Sequence, residues 1–130
     1  MAEPKPKVFE YEVTFDGTSV AGARNVAAAL PEEWAPEHLV LVGLVDCSLQ
    51  SLRYHARRDG VAVTGSGTAV GRVTRREQDG RFAFADIEAR LDVHFEPAPT
   101  DEAALLAVAE RDCFVGASLT PPPRYVWSVT

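Results

Sequence analysis

Apolar and polar residues alternate near the start of the chain, over residues 8–15. Such alternation is typical of a β-strand that buries one face. The dipeptide Asp16-Gly17 follows this segment and favours the positive φ angles of a tight turn. A returning strand is predicted over residues 18–30. The N-terminal region is therefore expected to form a β-hairpin.

A second and longer hairpin is predicted over residues 61–96, with its turn at Asp79-Gly80. Its second arm alternates strictly, which indicates an antiparallel strand with one buried face. Phe82 and Phe84 have the opposite phase, so we expect a β-bulge near Ala85-Asp86. The apolar residues expected to face the core from this arm are Ile87, Ala89, Leu91, Val93 and Phe95.

Capping residues and helical spacing predict two helices. The first should begin at Pro36, because a proline lacks only an N–H that the first turn does not use, and should end at about Arg58. The second should have Thr100 as its N-cap and run to about Phe114. A final alternating strand completes the order β-β-α-β-β-α-β. This order predicts an α+β fold in a single domain over residues 1–130.

The first half of the first predicted helix is apolar on almost every face, notably from Leu39 to Val45. A helix without a polar stripe is buried on all sides. A chain of 130 residues offers little interior for such a helix. The sequence therefore predicts an obligate homodimer, in which a partner subunit covers the helix.

Composition and charge argue against several classes of protein. The net charge of −6 argues against a nucleic-acid-binding protein, because few cations are free to neutralise phosphates. The longest strongly apolar run is far shorter than the roughly 20 residues that span a bilayer. The first residues lack the apolar core of a secretory signal, so a cytoplasmic location without a membrane partner is expected. Cysteines in that compartment are normally inert core residues or redox-active thiols.

Two features of the sequence could suggest a bound cofactor or metal, but neither has the position or spacing that such binding requires. The glycine-rich segment 65–71 lies within a strand pattern, whereas a phosphate-binding loop precedes a helix, so no nucleotide cofactor is expected. The histidines and cysteines lack the spacing of zinc ligands, so no metal is expected either. His38 and His55 are interpreted as surface residues of the first helix. The nucleophile elbow of serine hydrolases is also missing from the sequence.

Cys47, in the first predicted helix, and Cys113, near the end of the second, are the remaining candidates. Each could be a small buried residue, and periodicity alone does not bring them together. However, Ala35-Pro36-Glu37-His38-Leu39, followed by Cys47, resembles the start of the central helix in the OsmC/Ohr family. The segment from Glu110 to Ala117 resembles that family's second cysteine motif. The predicted element order agrees with the same fold.

The resemblance implies an intertwined homodimer, in which two sheets wrap around paired, buried central helices. It also implies thiol-dependent reduction of organic hydroperoxides at the dimer interface, with a thiol as the reductant. Cys47 would attack the peroxide, Cys113 would resolve the product as a disulfide, and Glu37 would hold an activating arginine. Such a cation is needed because only a thiolate attacks the peroxide oxygen.

The sequence departs from the family pattern at two points. Arg24 is the only arginine before the first helix and comes later than expected, and Phe114 replaces the usual proline after the second cysteine. The Asp46 carboxylate next to Cys47 would also raise the thiol pKa if it pointed toward the sulfur. Two alternatives therefore stay open. One is a non-catalytic OsmC-like protein that binds an apolar small molecule or has a structural role, and the other is an unrelated α+β dimer such as a hot-dog thioesterase.

Overall fold

The computed structural model of the chain describes residues 7–22 and 27–130. The chain divides into two compact units, Met1–Trp34 and Ala35–Thr130. The second unit contains all the helices of the described residues, together with a three-stranded sheet. No helix in the described ranges is long and apolar enough to cross a bilayer.

The first unit contains a small antiparallel sheet of three strands, β1 (Val13–Phe15), β2 (Ser19–Gly22) and β3 (Ala27–Ala29). The predicted turn at Asp16-Gly17 is confirmed, and Gly17 has a φ of 103°. The Asp16 Oδ1 atom accepts hydrogen bonds from the backbone N–H groups of Thr18 (2.9 Å) and Ser19 (2.7 Å). Of the strand predicted over residues 8–15, only β1 is formed.

The single returning strand predicted over residues 18–30 is wrong, because two strands occupy that stretch. β2 and β3 pair with each other in antiparallel fashion, with Ser19 opposite Ala29. The alanines of this segment offer little side-chain packing to hold one long strand, and pairing between its two halves satisfies the backbone groups. Arg24, the only arginine before α1, lies outside the described residues.

The predicted first helix is confirmed as α1 (Pro36–Arg58). Its first turn is closed by His38, whose Nδ1 atom accepts a hydrogen bond from the Ala35 backbone N–H at 2.8 Å. Gly60 follows the helix with a φ of 72°, a left-handed conformation that favours glycine. Local capping therefore fixes both ends of α1.

The predicted long hairpin is confirmed as β4 (Ala62–Arg75) and β5 (Phe82–Glu96), with the C-terminal strand β6 (Arg124–Val129) added parallel to β5. Arg72 pairs with Asp86 and Val73 with Phe84, which leaves Ala85 unpaired as the expected bulge. The predicted core-facing residues of β5 are all buried, namely Ile87, Ala89, Leu91, Val93 and Phe95.

The second predicted helix is wrong at both ends. Helix α2 is Glu102–Arg111, and its N-cap is Asp101 rather than Thr100, because the Asp101 carboxylate accepts a hydrogen bond from the Ala104 N–H at 3.1 Å. Cys113 has an extended backbone with φ −75° and ψ 109°, so the chain leaves the helix before it. A separate short helix, α3 (Phe114–Ala117), follows.

Helix α1 packs against β4, α2 and α3, with fewer contacts to β5. Leu44 and Leu52 are fully buried, whereas Leu39 is 38% exposed and Val42 48% exposed. In this single chain, therefore, α1 is not covered on all sides. Its exposed aliphatic residues are Leu39, Val40 and Val42.

The glycines of the predicted strand segment allow β4 to approach the helix closely. A Cβ atom on Gly67 would lie 2.8 Å from the Arg90 carbonyl oxygen and 3.0 Å from the Val45 side chain. A Cβ atom on Gly65 would meet Leu49 at 3.0 Å. These glycines lie inside β4, as predicted, and their role in the fold is close packing.

Candidate thiol site

The two cysteines are brought together at the start of α3. Cys47 lies in the middle of α1, and the connection from α2 to α3 carries Cys113 to it. The Val115 N–H donates to the Cys47 Sγ atom at 3.5 Å, and the next amide, that of Gly116, donates to the Cys113 Sγ atom at 3.4 Å. Both cysteines are free thiols. Adjacent backbone amides thus bind the two sulfurs side by side.

Cys113 is the more deeply buried thiol, with no exposed surface. Its sulfur lies 3.5 Å from the hydroxyl oxygen of Ser48, which is also fully buried. Ser48 donates its only hydroxyl proton to the Leu44 carbonyl oxygen at 2.7 Å. The Ser48 hydroxyl therefore lies between the Leu44 carbonyl oxygen and the Cys113 sulfur, and it links the second thiol to α1.

Cys47 is half-buried, and its surroundings raise the pKa of its thiol. Burial is the largest cause, and the neighbouring Cys113 side chain adds to it. The backbone N–H groups of Val115 and Phe114 act in the opposite direction without outweighing burial. Among the described residues, no cation is a main influence on this pKa. Cys47 is therefore a thiol rather than a thiolate at neutral pH.

The Asp46 carboxylate is not among the main causes of the raised Cys47 pKa. It accepts a hydrogen bond from the Gln50 side chain at 2.8 Å, one turn further along the exposed side of α1. Burial of the sulfur therefore raises the Cys47 pKa more than the Asp46 carboxylate does.

Tyr125 of β6 brings a further polar group to this site. Its hydroxyl is buried and makes no hydrogen bond of full geometry to any residue that the structure describes. Its nearest polar influences are the side chains of Cys113 and Ser48. A Cβ atom on Gly116 would lie 2.2 Å from the hydroxyl oxygen and 3.4 Å from the Cys113 sulfur, so these two atoms flank the same point. Burial, followed by the proximity of Cys113, raises the pKa of Tyr125 well above its ordinary value.

Glu37 is not brought to the thiols within one chain. It is exposed in the first turn of α1 and precedes Cys47 by ten residues. At 1.5 Å per residue, that separation is about 15 Å along the helix. The carboxylate predicted to position the activating arginine is therefore remote from the sulfur of its own chain.

His55 contacts the segment between α2 and α3, which contains Cys113. Its Nε2 atom lies 2.8 Å from Asp112 Oδ2, and its side chain is only 13% exposed. The prediction of a surface residue is therefore wrong for His55. The reason is that the last turns of α1 pack against α2, where the Ser51 hydroxyl also donates to the Ala109 carbonyl oxygen at 2.8 Å. Arg111, and then His55, lower the pKa of Asp112.

Sequence reasoning missed three polar residues of the site, Ser48, His55 and Tyr125. Ser48 had a usable signal, because it is a polar residue at helical spacing between Leu44 and Leu52. Within the described ranges, no group of three or more histidine, cysteine or acidic side chains could hold a metal ion. The chemistry available to these residues is that of two neighbouring thiols.

The fold is that of OsmC-like proteins. The family model described as "OsmC-like protein" matches residues 30–128, which is most of the chain. The chain therefore belongs to the OsmC-like family, as the sequence motifs predicted, and a hot-dog thioesterase fold is set aside. No curated protein matches the chain.

Solved structures of the family share this architecture at low sequence identity. The organic hydroperoxide resistance protein OhrB of Bacillus subtilis is 18% identical, with 94% of this chain and 98% of that chain covered and a TM-score of 0.59. An OsmC-like protein of unknown function from Vibrio cholerae is 15% identical, with coverage of 95% and 100% and a TM-score of 0.70.

A putative organic hydroperoxide resistance protein from Vibrio cholerae, with captopril bound in one of its active sites, is 21% identical. Coverage is 98% of this chain and 95% of that one, with a TM-score of 0.62. These likenesses confirm the predicted α+β fold of the family.

Proposed function

We propose that the protein reduces organic hydroperoxides by a two-cysteine mechanism, with Cys47 as the attacking thiol and Cys113 as the resolving thiol. The observation that carries the proposal is the binding of both sulfurs by the adjacent amides of Val115 and Gly116. The two side chains are close enough to influence each other, as a disulfide between them requires. Neighbours of the same fold that are named as organic hydroperoxide resistance proteins support this chemistry.

The proposed reaction has three balanced steps. The Cys47 thiol ionises, its thiolate attacks the peroxide oxygen and the O–O bond breaks. The departing alkoxide takes up the proton that the thiol released, so the products are an alcohol and a sulfenic acid on Cys47. Cys113 then attacks the Cys47 sulfur, which forms the disulfide and releases water. An external dithiol reduces this disulfide and restores both thiols. The cytoplasm, where such reductants are abundant, is the location that suits this cycle.

The surroundings of the thiols favour an organic peroxide over hydrogen peroxide. Apolar side chains of the core cluster around Leu44 pack next to both cysteines, and they include Leu41, Phe84 and Val115. An apolar group on the substrate would gain free energy by leaving water here. Hydrogen peroxide has no such group.

A second copy of the chain would supply what one chain lacks. The apolar residues Leu39, Val40 and Val42 of α1 are exposed in a single chain. Glu37 is too far from Cys47 of its own chain to act on it. We therefore infer an obligate homodimer in which the central helices pair and Glu37 positions an activating cation, such as Arg24, at a site between subunits. Light scattering that finds a folded monomer at micromolar concentration would contradict this.

A non-catalytic OsmC-like protein is the second candidate, and the raised Cys47 pKa favours it. A thiol that stays protonated at neutral pH is a poor nucleophile. Such a protein would bind an apolar small molecule between subunits or have a structural role. The captopril bound by the Vibrio cholerae protein indicates that this fold can hold a small molecule.

Cysteine variants treated with cumene hydroperoxide separate these candidates. Cys47→Ser should abolish peroxide consumption, because the attacking sulfur is gone. Cys113→Ser should consume one equivalent and stop at Cys47 sulfenic acid, or consume a second equivalent and over-oxidise Cys47 to sulfinic acid. The measurements are peroxide consumption, free-thiol count and intact mass. Wild-type thiols that survive excess peroxide would favour the non-catalytic candidate, and equal turnover by both variants would refute the mechanism.

A further inference from the structure

The buried hydroxyl of Tyr125 is unusual because nothing in the described part of the chain satisfies it. Buried polar groups are normally hydrogen-bonded, because burying such a group without a hydrogen-bond partner costs free energy. The hydroxyl lies against Gly116 and beside the Cys113 sulfur, where only a residue without a Cβ atom leaves room for it. The position of this hydroxyl thus links β6 directly to the second thiol.

Among the described residues, few donors other than Tyr125 are available to the Cys113 sulfur. The Ser48 hydroxyl lies 3.5 Å from that sulfur but donates to the Leu44 carbonyl oxygen at 2.7 Å, so its proton is engaged elsewhere in this arrangement. A sulfur on which negative charge develops during a reaction is stabilised by hydrogen-bond donors. The Gly116 N–H, at 3.4 Å, is then the one donor already directed at Cys113 among the described residues.

We propose that Tyr125 is a catalytic residue of the resolving step, in which its hydroxyl donates a hydrogen bond to the Cys113 sulfur as it attacks oxidised Cys47. This inference rests on the proposed function. A phenol whose pKa is raised keeps its proton and can act as a donor but not as a base. The hydroxyl unsatisfied in the resting protein finds its partner when negative charge develops on Cys113, which is the pattern of a preorganised donor.

The step balances without a change in the protonation of Tyr125. The Cys47–SOH group and the Cys113–SH group give the Cys47–Cys113 disulfide and water. The S–O bond of Cys47 breaks as the S–S bond forms, and the departing hydroxide takes the Cys113 proton. Tyr125 stabilises the sulfur while that proton is leaving and returns to its resting state afterwards.

The test compares Tyr125→Phe with Tyr54→Phe, which removes an exposed hydroxyl from α1 and serves as the matched control. One equivalent of cumene hydroperoxide is added, and Cys47 sulfenic acid, the disulfide and Cys47 sulfinic acid are followed by quenched mass spectrometry. Tyr125→Phe should oxidise Cys47 at the wild-type rate. It should then form the disulfide about 10- to 100-fold more slowly, the range expected for loss of a hydrogen bond to a charged group. When a second equivalent of cumene hydroperoxide is then added, more Cys47 sulfinic acid should accumulate in Tyr125→Phe than in Tyr54→Phe, because the sulfenic acid persists longer.

Two further readouts distinguish this role from a structural one. The disulfide-forming step of Tyr125→Phe should need a higher pH to reach a given rate, because the sulfur anion is less stabilised. Its thermal midpoint should not fall, since the substitution removes an unsatisfied buried hydroxyl. Disulfide formation at the wild-type rate with an unchanged pH profile would overturn the inference.

Diamide, a thiol oxidant that is not a peroxide, separates failure of this inference from failure of the proposed function. If wild-type thiols ignore cumene hydroperoxide but diamide forms the disulfide more slowly in Tyr125→Phe than in Tyr54→Phe, the peroxidase function fails and the role of Tyr125 stands. If wild type consumes peroxide and the two tyrosine variants behave alike with both oxidants, the role of Tyr125 fails alone.

Discussion

Substitution of Gly116 by alanine should strain the contact between α3 and β6. The added Cβ atom would lie 2.2 Å from the Tyr125 hydroxyl oxygen. An ordinary non-bonded separation is about 3.5 Å, so the contact is more than about 1 Å too short. The hydroxyl sits at the end of a rigid ring, and relief requires a shift of the whole side chain. Overpacking of this kind costs about 1–3 kcal/mol, and we expect Gly116→Ala to lower the free energy of unfolding by that amount.

The same geometry predicts that Tyr125→Phe will rescue Gly116→Ala. Without the hydroxyl, the nearest atoms to the new Cβ are the Cys113 sulfur at 3.4 Å and the ring carbon Cζ at 3.5 Å, which are ordinary contacts. The double variant should therefore recover nearly all the lost stability. The coupling free energy between the two positions should be about 1–3 kcal/mol, in the favourable direction.

Urea denaturation of wild type, both single variants and the double variant measures this coupling in one series. Gly22→Ala is the control, since a Cβ atom on Gly22 meets no atom within 4 Å, and it should leave the unfolding midpoint nearly unchanged. Additive effects of Gly116→Ala and Tyr125→Phe would refute the placement of the hydroxyl against α3. The inference about Cys113 would lose its geometric basis with it.

Two further predictions concern the packing of β4 and the protonation of Cys47. Gly67→Ala should destabilise the fold by about 1–3 kcal/mol, because its Cβ would lie 2.8 Å from the Arg90 carbonyl oxygen, which cannot move without distorting the sheet. Urea denaturation measures this change, and an unchanged midpoint would contradict the close packing. The rate of alkylation of Cys47 by iodoacetamide should increase at a higher pH than the rate for an ordinary exposed thiol, because the Cys47 pKa is raised. Cys113→Ser should shift this pH–rate curve to lower pH, because it removes one cause of the raised pKa. A shift to higher pH would contradict that cause.

Elements with strong local signals could be predicted from the sequence. Pro36 and Gly60 mark the ends of α1 by their own backbone preferences, and the phase change after Phe84 located the bulge at Ala85. Boundaries that depend on competition between neighbouring residues were harder to predict. Thr100 and Asp101 are both good N-caps, and a charged carboxylate is the stronger acceptor in this pair.

The parts of the site that were not predictable are those set by contacts between distant segments. Cys113 leaves α2 because its sulfur caps α3 and contacts Ser48, a residue 65 positions earlier in the chain. Tyr125 reaches the site through the parallel register that places it opposite Ala89 of β5. Alternation along β6 could indicate which residues share a face, but not which strand they would pair with or which sulfur they would meet.

The two thiols also define what the rest of the protein must supply. Burial raises the pKa of the Cys47 thiol, so the described residues favour its protonated and less reactive form. A nearby cation would reverse this at Cys47, because an opposite charge favours the thiolate. We propose that a second copy of the chain brings such a cation to the site. If the proposed reaction occurs, assembly of the dimer and activation of Cys47 would then be the same event.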